Sequence, residues 1–316
     1  MTRVATIDIG TNTVLLLIAE VGTDGTLVAR EERATITRLG EGVDKSRALA
    51  PAAIERTNAC LSNYASAIRA SGADRVAVVG TSAMRDAQGG EVVRAHVLSA
   101  IGVEARVISG EDEARLTFAG AVSGLALDGN RNATVFDIGG GSTEVVHGTL
   151  DASGAAEAIM FARSFDVGSV RLTERLVKHD PPTTHEIESI RTAVDEILAE
   201  VPALPGDTRE PREVVGIAGT MTTLAAVSLK MVSYDGARVH GHMMLRREIE
   251  QCVRDLEAMP LAKRREVAGL EPKRADVIVA GGIIALAVLD RLGVNRVRVS
   301  DRGVRWGLAE QLARES

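Results

Sequence analysis

The chain has 316 residues, 45% of them hydrophobic, and a formal net charge of −6. That length can support two domains with cores of their own, and the apolar content excludes a disordered chain. The acidic balance argues against a protein that coats nucleic acid, and aromatics at 2% leave the cores to Val, Ile, Leu and Ala.

From the N-terminus, alternating and apolar runs predict strands over 4–9, 14–21 and 27–35, joined by short turns into an antiparallel meander. Residues 37–46, "TRLGEGVDKS", read as a loop. A helix is expected over 51–70, with Pro51 suited to its first turn. A buried strand over 75–79, a helix over 91–100, a strand over 104–108 and a helix over 111–121 follow, which implies parallel strands after the meander. The pattern then restarts. Strands are expected over 133–138, 143–150 and 158–165, and helices over 170–178 and 185–200. A Pro-rich connection over 201–212 leads to a strand over 213–218 and a helix over 221–229. Helices over 247–259 and 274–291, a strand over 296–299 and a helix over 304–313 complete the chain.

The order of elements is a weak internal duplication: three antiparallel strands, then mixed helices and strands, twice over. The turn-rich stretch 125–131 is the expected boundary, giving domains 1–125 and 126–316. The last helix, about 303–315, is the one element that could pack back on the first lobe. The longest apolar run, 277–289, is too short to span a bilayer, so no membrane association is expected. Asp8 inside the N-terminal apolar stretch, with no charged start or cleavage site, argues against a signal peptide. Cys60 and Cys252 match no metal spacing and read as reduced thiols of a cytoplasmic protein.

Two stretches carry chemistry: "TIDIGTNTVLL" at residues 6–16 and "FDIGGGSTEVV" at 136–146. Each reads as strand, small-residue turn, strand. Glycine lets a ligand approach the main chain, and successive N–H groups in such a turn can form an anion-binding nest. Thr11, Asn12, Thr13, Ser142 and Thr143 could add donors. Asp8 and Asp137 would sit beside the bound anion, where a carboxylate repels phosphate unless a cation lies between. A divalent metal is therefore expected, and Mg²⁺ suits one or two carboxylates plus phosphate oxygens and water.

The same stretches, together with "ATITRLGEGVD", "GTSAMRDA", "ISGEDEARLTF", "FDVGSVRLTER", "GIAGTMTTLAA", "GLEPKRADVIVAGGIIAL" and "VSDRGVRWGL", resemble in order the exopolyphosphatase and guanosine pentaphosphate phosphohydrolase family. That family lies within the actin, sugar-kinase and Hsp70 superfamily. The resemblance implies an α/β, duplicated actin-like (ribonuclease H-like) fold: two lobes, each a mixed sheet flanked by helices, with the active-site cleft between them. It implies Mg²⁺ as cofactor, with Mn²⁺ as the alternative ion. It implies inorganic polyphosphate or guanosine pentaphosphate as substrate, a place in the stringent response, and leaves a homodimer open.

By the same resemblance Glu113, in "SGEDEARL", is the catalytic carboxylate that aligns a water; on residues alone, Glu111, Asp112 and Glu113 could simply favour a helix N-terminus. Asp137 and Glu144 map to metal-associated positions, the other reading of Glu144 being an exposed strand residue. Arg85, after a strand and small-residue turn, maps to a phosphate-contacting arginine, and a guanidinium there can hold phosphate oxygens in bidentate fashion. Gly139, Gly140, Gly141 and Ser142 form the second cradle. Gly219, Thr220 and Thr222 come where a strand enters a helix and read as an anion site or as a helix cap. Arg38 is a second phosphate candidate or an ordinary solvated arginine. His240 and His242 could face the same way along a strand, yet no third metal ligand is evident. Two departures from the family pattern stand out: Gly89 replaces an Asn, and Trp306 replaces an acidic residue.

The expected activity is release of terminal orthophosphate from polyphosphate by metal-assisted attack of water oriented by Glu113. The closest alternative is hydrolysis of the 5′ γ-phosphate of guanosine pentaphosphate. An ATP-dependent kinase of the same superfamily and a non-catalytic sensor of polyphosphate or guanosine tetraphosphate complete the alternatives.

Overall fold

A computed structural model describes residues 2–23, 25–127, 132–152, 154–201 and 213–314. The chain divides into two compact units, 1–120 with 304–316, and 121–303. Of the turn-rich stretch 125–131, residues 128–131 lie outside the described residues, as do 202–212 of the Pro-rich connection.

The first unit opens with strands β1 (Thr2–Ile9), β2 (Thr13–Val21) and β3 (Leu27–Ile36), paired antiparallel in sequence order. Residues 37–42 and the short helix α1 (Val43–Ser46) follow, so the expected loop carries one helical turn. Helix α2 (Pro51–Ser71) starts on a proline, whose fixed φ and missing N–H suit the first turn, and stops at left-handed Gly72. Then come β4 (Arg75–Gly80), α3 (Ser82–Asp86), α4 (Gly90–Ile101), β5 (Ala105–Val107) and α5 (Gly110–Val122). The sheet order is β3-β2-β1-β4-β5, with β1, β4 and β5 parallel.

Both faces of this sheet are covered, which explains why β1 is buried at every residue from Val4 to Ile9 rather than at alternate ones. Ala5, Ile7 and Ile9 pack with Leu61, Tyr64 and Val97 of α2 and α4.

The second unit repeats the plan. Strands β6 (Asn132–Ile138), β7 (Thr143–Leu150) and β8 (Ala156–Phe165) form a second antiparallel meander. Helices α6 (Ser169–Leu176) and α7 (Thr184–Leu198) lead to β9 (Glu213–Ile217) and α8 (Ala218–Ser228). The expected strand over 213–218 thus ends one residue early, and the helix begins at Ala218 rather than 221. Next are α9 (Gly236–Val239), β10 (Met243–Leu245), α10 (Arg246–Glu257) and α11 (Leu261–Arg264).

A 3₁₀ turn over Pro272–Arg274 precedes α12 (Ile278–Leu292), so the single helix expected over 274–291 is two elements. α12 is buried on nearly every side, as its all-round hydrophobicity requires, and sits at the centre of the unit's core. Strand β11 (Arg296–Val299) completes the sheet order β10-β11-β9-β6-β7-β8. In each unit, then, the meander's first strand is flanked by a parallel strand (β4, β9) and beyond it by another (β5, β11).

The last helix, α13 (Val304–Arg314), belongs to the first unit. Its Trp306 and Ala309 pack on Val4, Leu17 and Ala19 of the first sheet, and Val304 and Leu308 on Val79 and Ile108. The Arg305 carbonyl accepts from Thr6 Oγ1 at 2.8 Å. Trp306, 2% exposed, also donates through Nε1 to Glu32 Oε2 at 3.2 Å, a carboxylate shared with Arg305 Nη2 at 2.7 Å. The departure at Trp306 is therefore a core residue that ties α13 to β3. The other departure, Gly89, has φ +97° ahead of α4, a backbone region that Asn also tolerates better than most residues.

Candidate functional site

The two hairpin turns share one construction. Gly10 N–H donates to the Thr13 carbonyl at 3.1 Å, and Gly139 N–H to the Ser142 carbonyl at 3.0 Å. In each, a carboxylate is the last residue but one of the first strand, Asp8 on β1 and Asp137 on β6. In each, the turn's carbonyls are gripped by the segment that follows the third strand, a loop in the first unit and the start of α6 in the second. Thr37 and Arg38 donate their N–H groups to the Asn12 carbonyl, and Gly40 to that of Thr11. Ser169 donates to Gly139 O, while Val170 and Arg171 donate to Gly140 O. No backbone carbonyl among the described residues receives the N–H of Gly140 or Gly141. Carbonyls held on one side leave amides for the other, which is the polarity an anion nest needs.

In the first unit, Thr11 Oγ1 lies 3.0 Å from Ser82 Oγ, so the turn is joined to α3. α3, which follows β4 directly, also carries Arg85. Arg85 Nη1 donates to Glu113 Oε2 at 3.1 Å and to the Ile108 carbonyl at 3.2 Å. Of the three acidic residues that open α5, Glu113 is buried, while Glu111 and Asp112 are exposed. Glu111 pairs with Arg115 one turn on, and Asp112 with Ser109, which caps the helix. Arg38 has φ +52°, a left-handed backbone uncommon for a non-glycine residue, and its segment is bonded to the Asn12 carbonyl.

In the second unit, Asp137 and Glu144 are direct partners in the β6–β7 register. Two carboxylates set opposite each other on one face of a hairpin repel unless a cation offsets them. Glu144, 2% exposed, accepts from Ser164 Oγ of β8 at 2.6 Å, which fixes its orientation. Two carboxylates and no nitrogen or sulfur donor suit Mg²⁺, which fills its remaining positions with phosphate oxygens and water. Among the described residues no group of three or more His, Cys, Asp or Glu is placed to hold a metal, so a zinc-type cage is not built there.

Other expected site residues have local duties. Thr143 is fully buried and donates through Oγ1 to the Val167 carbonyl at 2.6 Å, fixing the hairpin to the segment beyond β8. Thr220 Oγ1 donates to Ile138 O at 3.2 Å, which brings the start of α8 against the end of β6. Thr222 bonds back to the Ala218 carbonyl within the helix. Gly219 lies under Arg274: a Cβ there would meet Nη1 at 1.8 Å. Ala218, just before it, has φ +63°. His240 and His242 do not share a strand. His240 follows α9 and has Nδ1 3.2 Å from Asp301 Oδ1, and His242 precedes β10.

Sequence reasoning missed Ser82, Ser164, Arg171 and Arg274. Ser82, Arg171 and Arg274 stood inside quoted motifs, so their segments were visible but their roles were not. Ser164 gave no signal, because it acts on a residue far away in sequence.

Two gripped hairpin turns, an arginine-bound buried carboxylate and an opposed pair of carboxylates on a duplicated α/β fold have the layout of a phosphate-handling protein. Residues 17–315 match the Ppx/GppA phosphatase family. The chain is 41% identical to "Exopolyphosphatase 2" of Mycobacterium tuberculosis, with 99% of each chain covered. It superposes with a TM-score of 0.90 on the crystal structure of an exopolyphosphatase-like protein, at 31% identity and 99% coverage of both. A Ppx/GppA family member from Aquifex aeolicus gives a TM-score of 0.81 at 33% identity, covering 99% of this chain and 98% of the other. The protein belongs to the Ppx/GppA phosphatase family.

Proposed function

We propose that this protein hydrolyses the terminal phosphoanhydride bond of inorganic polyphosphate and releases orthophosphate. The observation that carries the reading is the buried Glu113 carboxylate fixed by Arg85. The likeness to a protein named Exopolyphosphatase 2 supports the choice of substrate.

Phosphoryl transfer asks for positioning and charge neutralisation more than for covalent chemistry. Glu113 accepts a hydrogen bond from a water and aligns it with the terminal phosphorus. Arg85 holds that carboxylate still and adds positive charge beside the transferring group. The N–H groups of Gly140, Gly141 and Ser142 donate to phosphate oxygens. Thr11, Asn12, Thr13 and Arg38 offer donors from the first unit, and Gly219 and Thr220 from the second. Asp137 and Glu144 would hold a divalent cation, Mg²⁺ first and Mn²⁺ second, directly or through water. When bound, that ion screens phosphate charge and polarises the P–O bond.

The test is phosphate release from polyphosphate and from guanosine pentaphosphate, measured side by side. Polyphosphate is expected to turn over faster, and Glu113→Gln to lower kcat by about 10²–10⁴-fold while sparing binding. Faster turnover of the nucleotide would reassign the substrate. Near-normal turnover by the variant would remove Glu113 from its role.

A further inference from the structure

A run of three glycines does not fix the direction of its own peptide planes. With no side chain, each can rotate at little steric cost, and a flipped plane would aim a carbonyl oxygen where an N–H should point. Such a turn binds anions only if something outside it holds the carbonyls back. The four residues 168–171 do this plane by plane. The Gly139 carbonyl accepts from Ser169 N at 3.0 Å and Ser169 Oγ at 3.2 Å. The Gly140 carbonyl accepts from Val170 N at 2.9 Å and Arg171 N at 3.1 Å. The Gly141 carbonyl accepts from the side chain of Arg171, Nε to O 2.8 Å.

The last plane is the one held by a side chain with no backbone donor beside it, and it is the plane that carries the Ser142 N–H. A charged donor makes that bond stronger than a neutral one. Arg171 is in turn steadied by Asp166, Nη2 to Oδ1 3.8 Å, and its side chain is 13% exposed. Gly168 completes the grip by its lack of a side chain: a Cβ there would lie 2.4 Å from Gly140 O and 2.6 Å from Gly141 C, both backbone atoms that cannot swing away.

We propose that Arg171 is a positioning residue that holds the Gly141–Ser142 peptide so that the Ser142 N–H faces the phosphate, and that Gly168 serves the Gly140–Gly141 peptide in the same way. The proposal rests on the phosphate-binding reading of the turn. It gives each amide of the nest its own keeper, so each can be removed separately.

The experiment is a titration of the full chain with inorganic phosphate, followed through the amide ¹H–¹⁵N resonances of Gly140, Gly141 and Ser142, beside steady-state kinetics on polyphosphate. In the wild type all three amides are expected to shift. Arg171→Met should lose the Ser142 response and keep that of Gly140. Gly168→Ala, whose Cβ would press on Gly140 O and Gly141 C, should lose the Gly141 response and keep that of Gly140. Loss of one oriented donor predicts a fall in kcat of roughly 10²-fold for Arg171→Met with KM within about threefold, and partial recovery in Arg171→Lys, which restores a charged donor. A general loosening would instead blunt all three amides together and would overturn the proposal. So would Arg171→Met with an intact Ser142 response and unchanged kcat. Silence of all three amides in the wild type would overturn the phosphate reading of the turn along with it, an outcome distinct from silence in one variant.

Discussion

Arg85 and Glu113 meet across 28 residues of sequence, with Nη1 3.1 Å from Oε2. The pair separates Glu113 from its two acidic neighbours, which face solvent and bond locally. A carboxylate that is buried and held by a guanidinium has one orientation, and one orientation is what a water-aligning group needs.

Removing the arginine should therefore act through Glu113. Arg85→Met is expected to lower kcat/KM by about 10²–10³-fold, and Arg85→Lys by less, since the charge remains but the planar fork is lost. In an Arg85→Met, Glu113→Gln double variant the losses should not add, because both changes disable one unit. Additive losses in the kinetics would show that the two side chains act separately.

Ser164 is predicted to matter through the cation. It holds Glu144 at 2.6 Å and has no part in the sequence motifs. Partners of metal-associated ligands typically change affinity by about 10–100-fold. Ser164→Ala should raise the Mg²⁺ concentration for half-maximal activity by that order with kcat at saturating Mg²⁺ largely kept. A chelator should abolish turnover in the wild type, and re-addition of Mg²⁺ should restore it. An unchanged Mg²⁺ titration in Ser164→Ala would detach Ser164 from the metal.

Helix α13 is predicted to be a structural member of the first unit. A Cβ on Gly307 would lie 2.0 Å from the Leu116 carbonyl oxygen and 2.8 Å from its carbon, so α5 and α13 must move apart to admit it. Gly307→Ala should cost about 1–3 kcal/mol by overpacking. Trp306 is the chain's single tryptophan, so its fluorescence during denaturant unfolding reads the loss directly. A midpoint equal to the wild type's would mean that the helices part at no cost.

Glu186 gives a pH signature unrelated to catalysis. It closes a capping box with Thr183 at the start of α7. Hydrogen bonds from the Thr183 backbone first, and from His179, lower its carboxyl from 4.5 to about 2. The folded value lies below the unfolded one, so the ionised group stabilises the fold above pH 4.5, and that contribution is lost as pH falls toward 2. Glu186→Gln should have a lower Tm than the wild type at pH 6–7, with the gap closing as pH falls through this window. A gap that persists unchanged at about pH 2 would contradict the assignment.

Elements with strong local signals were legible in the sequence. The two meanders, α2, α7 and the buried α12 follow from periodicity, end signals and all-round hydrophobicity. The places where reading failed are those where a neighbour decides. α8 begins three residues early, at left-handed Ala218 beside β6. The expected helix over 274–291 breaks where Arg274 lies over Gly219. β10 has three residues, too few for a pattern, and exists because β11 lies beside it.

By itself the sequence determined that the two glycine-bearing turns could bind an anion, because turn geometry is a short-range property; the acidic start of α5 and the arginine of α3 stood out only through the order of motifs shared with the family. Only the tertiary structure decided which of the acidic residues is buried against Arg85, that Ser164 steers Glu144 from 20 residues away, and that Arg171 holds Gly141 from 30. It also decided that α13 returns to the first sheet, where the Arg305 carbonyl meets Thr6 299 residues earlier. Burial and hydrogen-bond direction depend on what the folded chain brings alongside, and no window of neighbouring residues carries that information.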